Sequence, residues 1–243
     1  MRVRAVVAYD GTGYGGFQRQ ANAPTVQAAL EAALLKVTRE PSGIVAAGRT
    51  DAGVHAAGQV IAFDTTWRHR LDELLRALNA SLPSDIAVRE VKEAAPEFHP
   101  RYDAQSRWYR YTVCTAEVRR PLARLYSLHV PGRIDATAMM RAAGCLLGEH
   151  DFATFGQPPS GESTTRRLLR ADWHEDRPWL TFDIEANAFL YRMVRSIVGT
   201  LLAVGRGVLG EEAFAEVLAA RDRGQAGPTA PAHGLCLMAV AYS

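Results

Sequence analysis

The segment Ala47-Gly48-Arg49-Thr50-Asp51-Ala52-Gly53-Val54-His55 sets one carboxylate between two glycines at the end of an expected strand. Backbone can approach a ligand closely there. An Asp in that setting suits nucleophilic chemistry or the capping of a turn, and taken alone the turn cap is the default. Metal binding is not expected, because acids are sparse nearby and only His55 is close. Upstream, Gly11-Thr12-Gly13-Tyr14-Gly15-Gly16 matches a dinucleotide-type glycine pattern. A dinucleotide loop opens directly into a helix, whereas here residues 17–24 intervene. A glycine-rich turn accounts for the glycines. Gln18, Arg19 and Gln20, polar side chains beside a flexible loop, suit contact with a phosphate backbone.

Further along, Tyr109 and Tyr111 share one strand face, since side chains alternate with period two. Core packing explains either tyrosine. Arg101, Arg107, Arg110, Arg119, Arg120 and Arg124 cluster between residues 98 and 124, with aromatics among them and few acids. That pattern reads as a phosphate-binding surface. Arg166, Arg167 and Arg170 form a second cluster that a solvated face explains equally well.

Elements must position these groups. Residues 2–9, rich in Val and Ala, predict a strand. Pro24 and Thr25 open a helix carrying Val26, Leu30, Leu34 and Val37 at helical spacing. Residues 44–49 and 59–63 read as strands, Leu71 to Leu78 as a helix closed by Pro83, and 86–91 as a strand. The order βαββαβ then recurs: a strand at 108–114, a helix capped by Asp135, strands at 168–174 and 179–184, a long apolar helix over 189–204, an additional helix over 211–220, and a closing strand at 235–242. Residues 221–233 predict a surface loop. Two such passes predict an α+β fold of two ferredoxin-like halves, 1–105 with the Asp51 loop and 106–243. The halves are expected to join into one mixed, mostly antiparallel sheet with helices on one face.

Composition bounds the partners. The 243 residues are 48% hydrophobic, enough for a substantial core, and the formal net charge is only +2. Among 28 basic residues only Lys36 and Lys92 are lysines. Arginine suits bidentate phosphate contact, although codon bias or thermal adaptation would give the same enrichment. Cys114, Cys145 and Cys236 are widely spaced, form no disulfide or zinc pattern, and suit a reducing cytoplasm. Neither a membrane span nor a signal peptide is expected.

Taken together, the motifs resemble one family. Residues 48–55 look like the signature loop of the bacterial tRNA pseudouridine synthase A family. Tyr9-Asp10-Gly11-Thr12 with Tyr14, Gly16, Gln18 and Gln20 resembles its N-terminal motif. Phe98-His99-Pro100-Arg101 with Arg107-Trp108-Tyr109-Arg110-Tyr111 resembles the central one, and Asn187-Ala188-Phe189 with Met193-Val194-Arg195-Ser196-Ile197-Val198-Gly199 the third. Leu190 and Tyr191 depart modestly from the pattern. The resemblance implies a cofactor-free isomerase, a homodimer, acting on uridines 38, 39 and 40 of the tRNA anticodon stem-loop. It implies Asp51 as nucleophile, with Tyr109, Arg195 and Arg49 as its catalytic neighbours. Tyr109 would also stack on the uracil. Arg195 would favour the ionised carboxylate; it flanks the Met193, Ile197 and Leu201 stripe, where a snorkelling surface arginine would also sit. Arg49 would fill the space of an extruded nucleotide or hold a flanking phosphate. Gln18, Arg19, Arg101, Arg107 and Arg110 are the expected RNA contacts.

The alternative is a non-catalytic RNA-binding protein of ferredoxin-like modules. Such a binder would show an RNP1-like run, which is absent, and has no use for the Asp51, Tyr109 and Arg195 set. A small-molecule phosphate enzyme would need a GK[ST] motif, also absent.

Overall fold

A computed structural model describes residues 1–158 and 161–243. Its class is α+β, with mixed, mostly antiparallel strand pairing and five α-helices among the described residues. The chain divides into two compact units, Met1–Gln105 with Cys236–Ser243, and Ser106–Leu235.

In the first unit β1 (Arg2–Tyr9) lies between β3 (His55–Asp64) and β4 (Ile86–Glu93), antiparallel to both. Strict alternation puts Val3, Ala5, Val7 and Tyr9 in the core. The free side of β3 is shared. β2 (Val45–Ala46) pairs with its far end, and β10 (Leu235–Ala241) runs parallel to its start, Cys236 opposite His55. This explains why β3 is buried nearly throughout. The strand expected over 44–49 is reduced to two residues, because the buried Gln59 side chain takes the Gly48 carbonyl and the chain leaves the ladder there. Helix α1 (Val26–Thr38) begins as expected at Thr25, whose side chain accepts from Ala28 N. It packs against α2 (Leu71–Ser81), which buries Leu74 and Leu78.

In the second unit β5 (Ser106–Cys114), β9 (Trp179–Ala186), β8 (Thr165–Asp176) and β7 (Gly148–Asp151) follow one another in antiparallel order. The short β6 (Leu128–His129) runs parallel to the end of β5. Helix α3 (Ala136–Ala143) starts at Asp135, whose carboxylate accepts from Ala138 N, and packs on β8, α4 (Met193–Gly205) and α5 (Glu211–Ala219). The apolar run expected to be helical from residue 189 becomes helical only at Met193. Tyr191 N donates to Gln157 O, and Arg192 takes a left-handed conformation, φ 60°, so helical bonding cannot start earlier. Strands β6 and β7 were not expected from the sequence, being short and largely polar.

Candidate active site

The Asp51 loop is held from three directions within the first unit. Phe17 N donates to Thr50 O at 3.1 Å, and Tyr9 Oη and Thr50 Oγ1 share a buried hydrogen bond of 2.8 Å. Val54 N closes a tight turn onto Asp51 O. Gly16 lies directly beneath, at φ +104°, and a Cβ there would stand 2.9 Å from Thr50 O and 3.3 Å from Asp51 C. The glycine-rich segment is therefore the bed of the acidic loop, and Gly16 is required there by backbone proximity rather than by a nucleotide. Gly11 repeats the arrangement against Val54, where a Cβ would collide with the carbonyl oxygen at 2.0 Å. Asp51 itself is half-buried, Arg49 is exposed and Thr50 is buried.

A polar network braces this bed. Asp10 Oδ1 accepts from Thr12 N and Oγ1. His55 Nδ1 lies 3.1 Å from both Gly11 N and Asp10 Oδ1. A bare Nδ1 accepts from Gly11; a protonated one donates to Asp10; the two bonds exclude each other. Tyr14 donates to Asp85 at 2.7 Å, and burial together with that carboxylate pushes its phenol up. Burial likewise raises the Tyr9 phenol, against the lowering effect of its hydrogen bonds from Thr50 and Gln59. Both tyrosines thus stay neutral and serve as struts. Their part was not foreseen, although Tyr9, Asp10, Thr12 and Tyr14 stood in the motif that carried the family resemblance.

Of the expected RNA contacts in this unit, Gln18 and Arg19 are exposed and Arg101 is half-buried. Arg19 is ion-paired with Glu31, and Arg101 lies over the Tyr102 ring.

In the second unit Tyr109 meets Phe189 edge to face, centroids 5.2 Å apart. Tyr111, two residues on and on the same strand face, is fully buried and donates to Pro231 O at 2.9 Å, so it is a core residue. Arg195 is half-buried in the first turns of α4. Its Nε donates to Ala230 O at 2.7 Å, while its own carbonyl accepts from Ala230 N. The segment before β10 therefore orients this guanidinium, which is not a snorkelling surface arginine. Arg223 secures the same segment by donating to Ser196 Oγ and Thr229 Oγ1.

Arg107 is buried, with one Nη on Asn187 O. Arg110 makes a two-pronged ion pair with Asp183, at 2.8 Å on each oxygen. Asp183, wholly buried, also accepts from Trp108 Nε1 at 3.0 Å and lies 3.2 Å from Arg170. Burial alone would raise this carboxyl, but the bonds from Arg110 and Trp108 and the charges of Arg110 and Arg170 outweigh it and hold it below the ordinary range. A phosphate reaching Arg110 would have to compete with that carboxylate. Asp183 escaped notice in the sequence, where its one signal is an acid inside the apolar run Leu180-Thr181-Phe182-Asp183-Ile184.

Among the described residues no group of His, Cys, Asp and Glu is arranged to hold a metal ion, and no helix is long and apolar enough to cross a membrane.

Comparison with known proteins adds the following. Residues 5–103 and 142–243 match the family described as tRNA pseudouridine synthase. A tRNA pseudouridine synthase A of Chloroflexus aurantiacus is 50% identical, over 99% of this chain and 88% of its own length. Another from Moorella thermoacetica is 48% identical over 99% of both chains. A third, from Aeromonas hydrophila, is 46% identical over 100% of this chain and 90% of its own. Among solved structures, a chain of an archaeal box H/ACA sRNP Nop10-Cbf5 complex aligns with 82% of this chain and 44% of its own length, at TM-score 0.35 and 14% identity.

Proposed function

Because this chain belongs to the tRNA pseudouridine synthase family, we propose that it isomerises uridine to pseudouridine at positions 38, 39 and 40 of the tRNA anticodon stem-loop, with Asp51 as nucleophile. The observation that carries the role of Asp51 is the way its loop is bedded. Gly16, Phe17, Tyr9 and the turn to Val54 fix the backbone on both sides of a half-buried carboxylate. A mere turn cap requires no such support.

The reaction breaks the N1–C1′ glycosidic bond, turns the uracil and joins C5 to C1′. The C5 hydrogen leaves as a proton and N1 gains one, so no redox partner or cofactor enters. Asp51 acts by attack at ribose C1′, by attack at base C6, or by assisting elimination at the sugar. Arg195 favours the ionised carboxylate. Tyr109 stacks on the uracil and offers its hydroxyl to a base or sugar proton. Arg49, exposed on the loop, fills the space left by the extruded nucleotide or binds a flanking phosphate. Gln18 and Arg19 lie toward solvent and, with the half-buried Arg101, suit RNA contact. Arg107 and Arg110 contribute chiefly by holding strand β5, given their bonds to Asn187 and Asp183. The enzyme works in the cytoplasm as a homodimer.

Transfer RNA tritiated at uracil C5 tests this reading. The wild-type protein should release one tritium per pseudouridine formed. Asp51→Asn keeps size and most hydrogen bonding but removes the charge; it should abolish release while tRNA affinity stays within several-fold, phosphate contacts dominating binding. Asn caps turns about as well as Asp, so near-normal release from a folded Asp51→Asn protein would refute the role.

A further inference from the structure

A cavity of about 360 Å³ opens in the second unit, lined by Cys114, Arg119, Arg120, Arg124, Ser127 and His129. None of these residues is assigned to the reacting uridine. The chain leaves β5 at Cys114, passes through a short 3-10 turn at Pro121–Ala123, and returns as β6 alongside the strand it left, with His129 opposite Cys114. Ser127 Oγ donates to Ala123 O at 2.9 Å and His129 Nε2 to Ala116 O at 2.8 Å, so the excursion is tied at both ends. Arg120 is braced over the Trp179 ring, 5.5 Å from its centroid.

The charges on this excursion are not balanced within the protein. Arg2, Arg19, Arg110, Arg141 and Arg177 are each paired with a carboxylate. Among the described residues Arg119, Arg120 and Arg124 have no such partner, and Glu117 is the single acid between residues 115 and 133. Neighbouring like charges repel unless a counter-charge joins them. The guanidinium is a rigid fork of donors that matches phosphate two bonds at a time. A cavity of this size lies at the small end of ligand sites, enough for a phosphate and part of the sugar attached to it.

We propose that this cavity is a phosphate-binding site in which Arg119, Arg120 and Arg124 take one phosphate group, supplied by the tRNA backbone or by free phosphate. Only the tRNA source rests on the isomerase reading. A rival use of the same segment is contact with a protein, since Val118, Leu122 and Tyr126 are exposed on it.

The test uses the full-length protein, the triple variant Arg119→Ala, Arg120→Ala, Arg124→Ala, and the corresponding triple lysine variant. Inorganic phosphate is titrated by calorimetry, and tRNA binding is measured across a salt series. For the wild type, saturable phosphate binding is expected, lost in the alanine variant and weakened in the lysine variant, which keeps the charge but not the fork. If the tRNA backbone supplies the phosphate, the slope of log affinity against log salt should also fall by about 0.9, since one phosphate is neutralised. An unchanged slope with lost phosphate binding identifies free phosphate as the ligand. Two results overturn the site. One is an alanine variant of unchanged Tm that binds phosphate and tRNA like the wild type. The other is loss accompanied by a changed sedimentation coefficient, which would make the segment a subunit contact. Failure of the isomerase reading shows separately, as absence of tritium release from the wild-type protein.

Discussion

Gly16 illustrates how one residue sets the position of another far along the chain. Its φ of +104° and the 2.9 Å approach of a notional Cβ to Thr50 O leave room for glycine alone. Gly16→Ala is therefore expected to cost about 1–2 kcal/mol in backbone strain, seen as a lower Tm. The loop must also move away from the new methyl, carrying Asp51 with it. A displacement approaching 1 Å should reduce kcat on the order of 100-fold, with tRNA affinity little changed. Equal losses of kcat and of tRNA binding would mean that the bed supports RNA contact rather than the reacting carboxylate.

At the scale of elements, the outer face of β5, β9 and β8 is organised by one acid. Asp183 gathers Trp108 and Arg110 from β5 and Arg170 from β8. Asp183→Asn leaves the shape intact but removes the charge that those cations require. Bonds to a charged group are worth about 1.5–3 kcal/mol each, and partial exposure of both arginines discounts this, so the expected loss near neutral pH is about 2 kcal/mol. Since the carboxyl is depressed in the folded state, its stabilisation is present above the ordinary carboxylate pKa of about 3.9 and vanishes as pH falls through the lower folded value. Urea unfolding of wild type and variant should differ near pH 7 and converge below about pH 3.9. A constant difference across that range would assign the effect to packing instead.

For the whole molecule, the expected assembly is a stable homodimer. Sedimentation should show it at micromolar concentration, and a fully active monomer would contradict it. Turnover should also persist in excess EDTA with tRNA folding held constant; a loss restored by Mg²⁺ would bring a metal into the reaction.

What the sequence determined by itself was local. Period-two burial in β1, the Thr25 cap of α1 and the Asp135 cap of α3 depend on neighbours a few residues away, so spacing alone exposes them. The α+β class followed from their order, and the motif spacing pointed to the family. Only the tertiary structure decided how the loop of Asp51 is held: Tyr9 meets Thr50 across 41 positions, and Gly16 meets it through backbone that carries no residue-type signal. The same limit hid Asp183, whose partners come from two other strands, and the late start of α4, where Gln157 takes the Tyr191 N–H ahead of the helix. Such contacts depend on register and loop closure between distant segments. Side-chain periodicity carries no record of either, whereas a cap or an amphipathic stripe is written within a single turn.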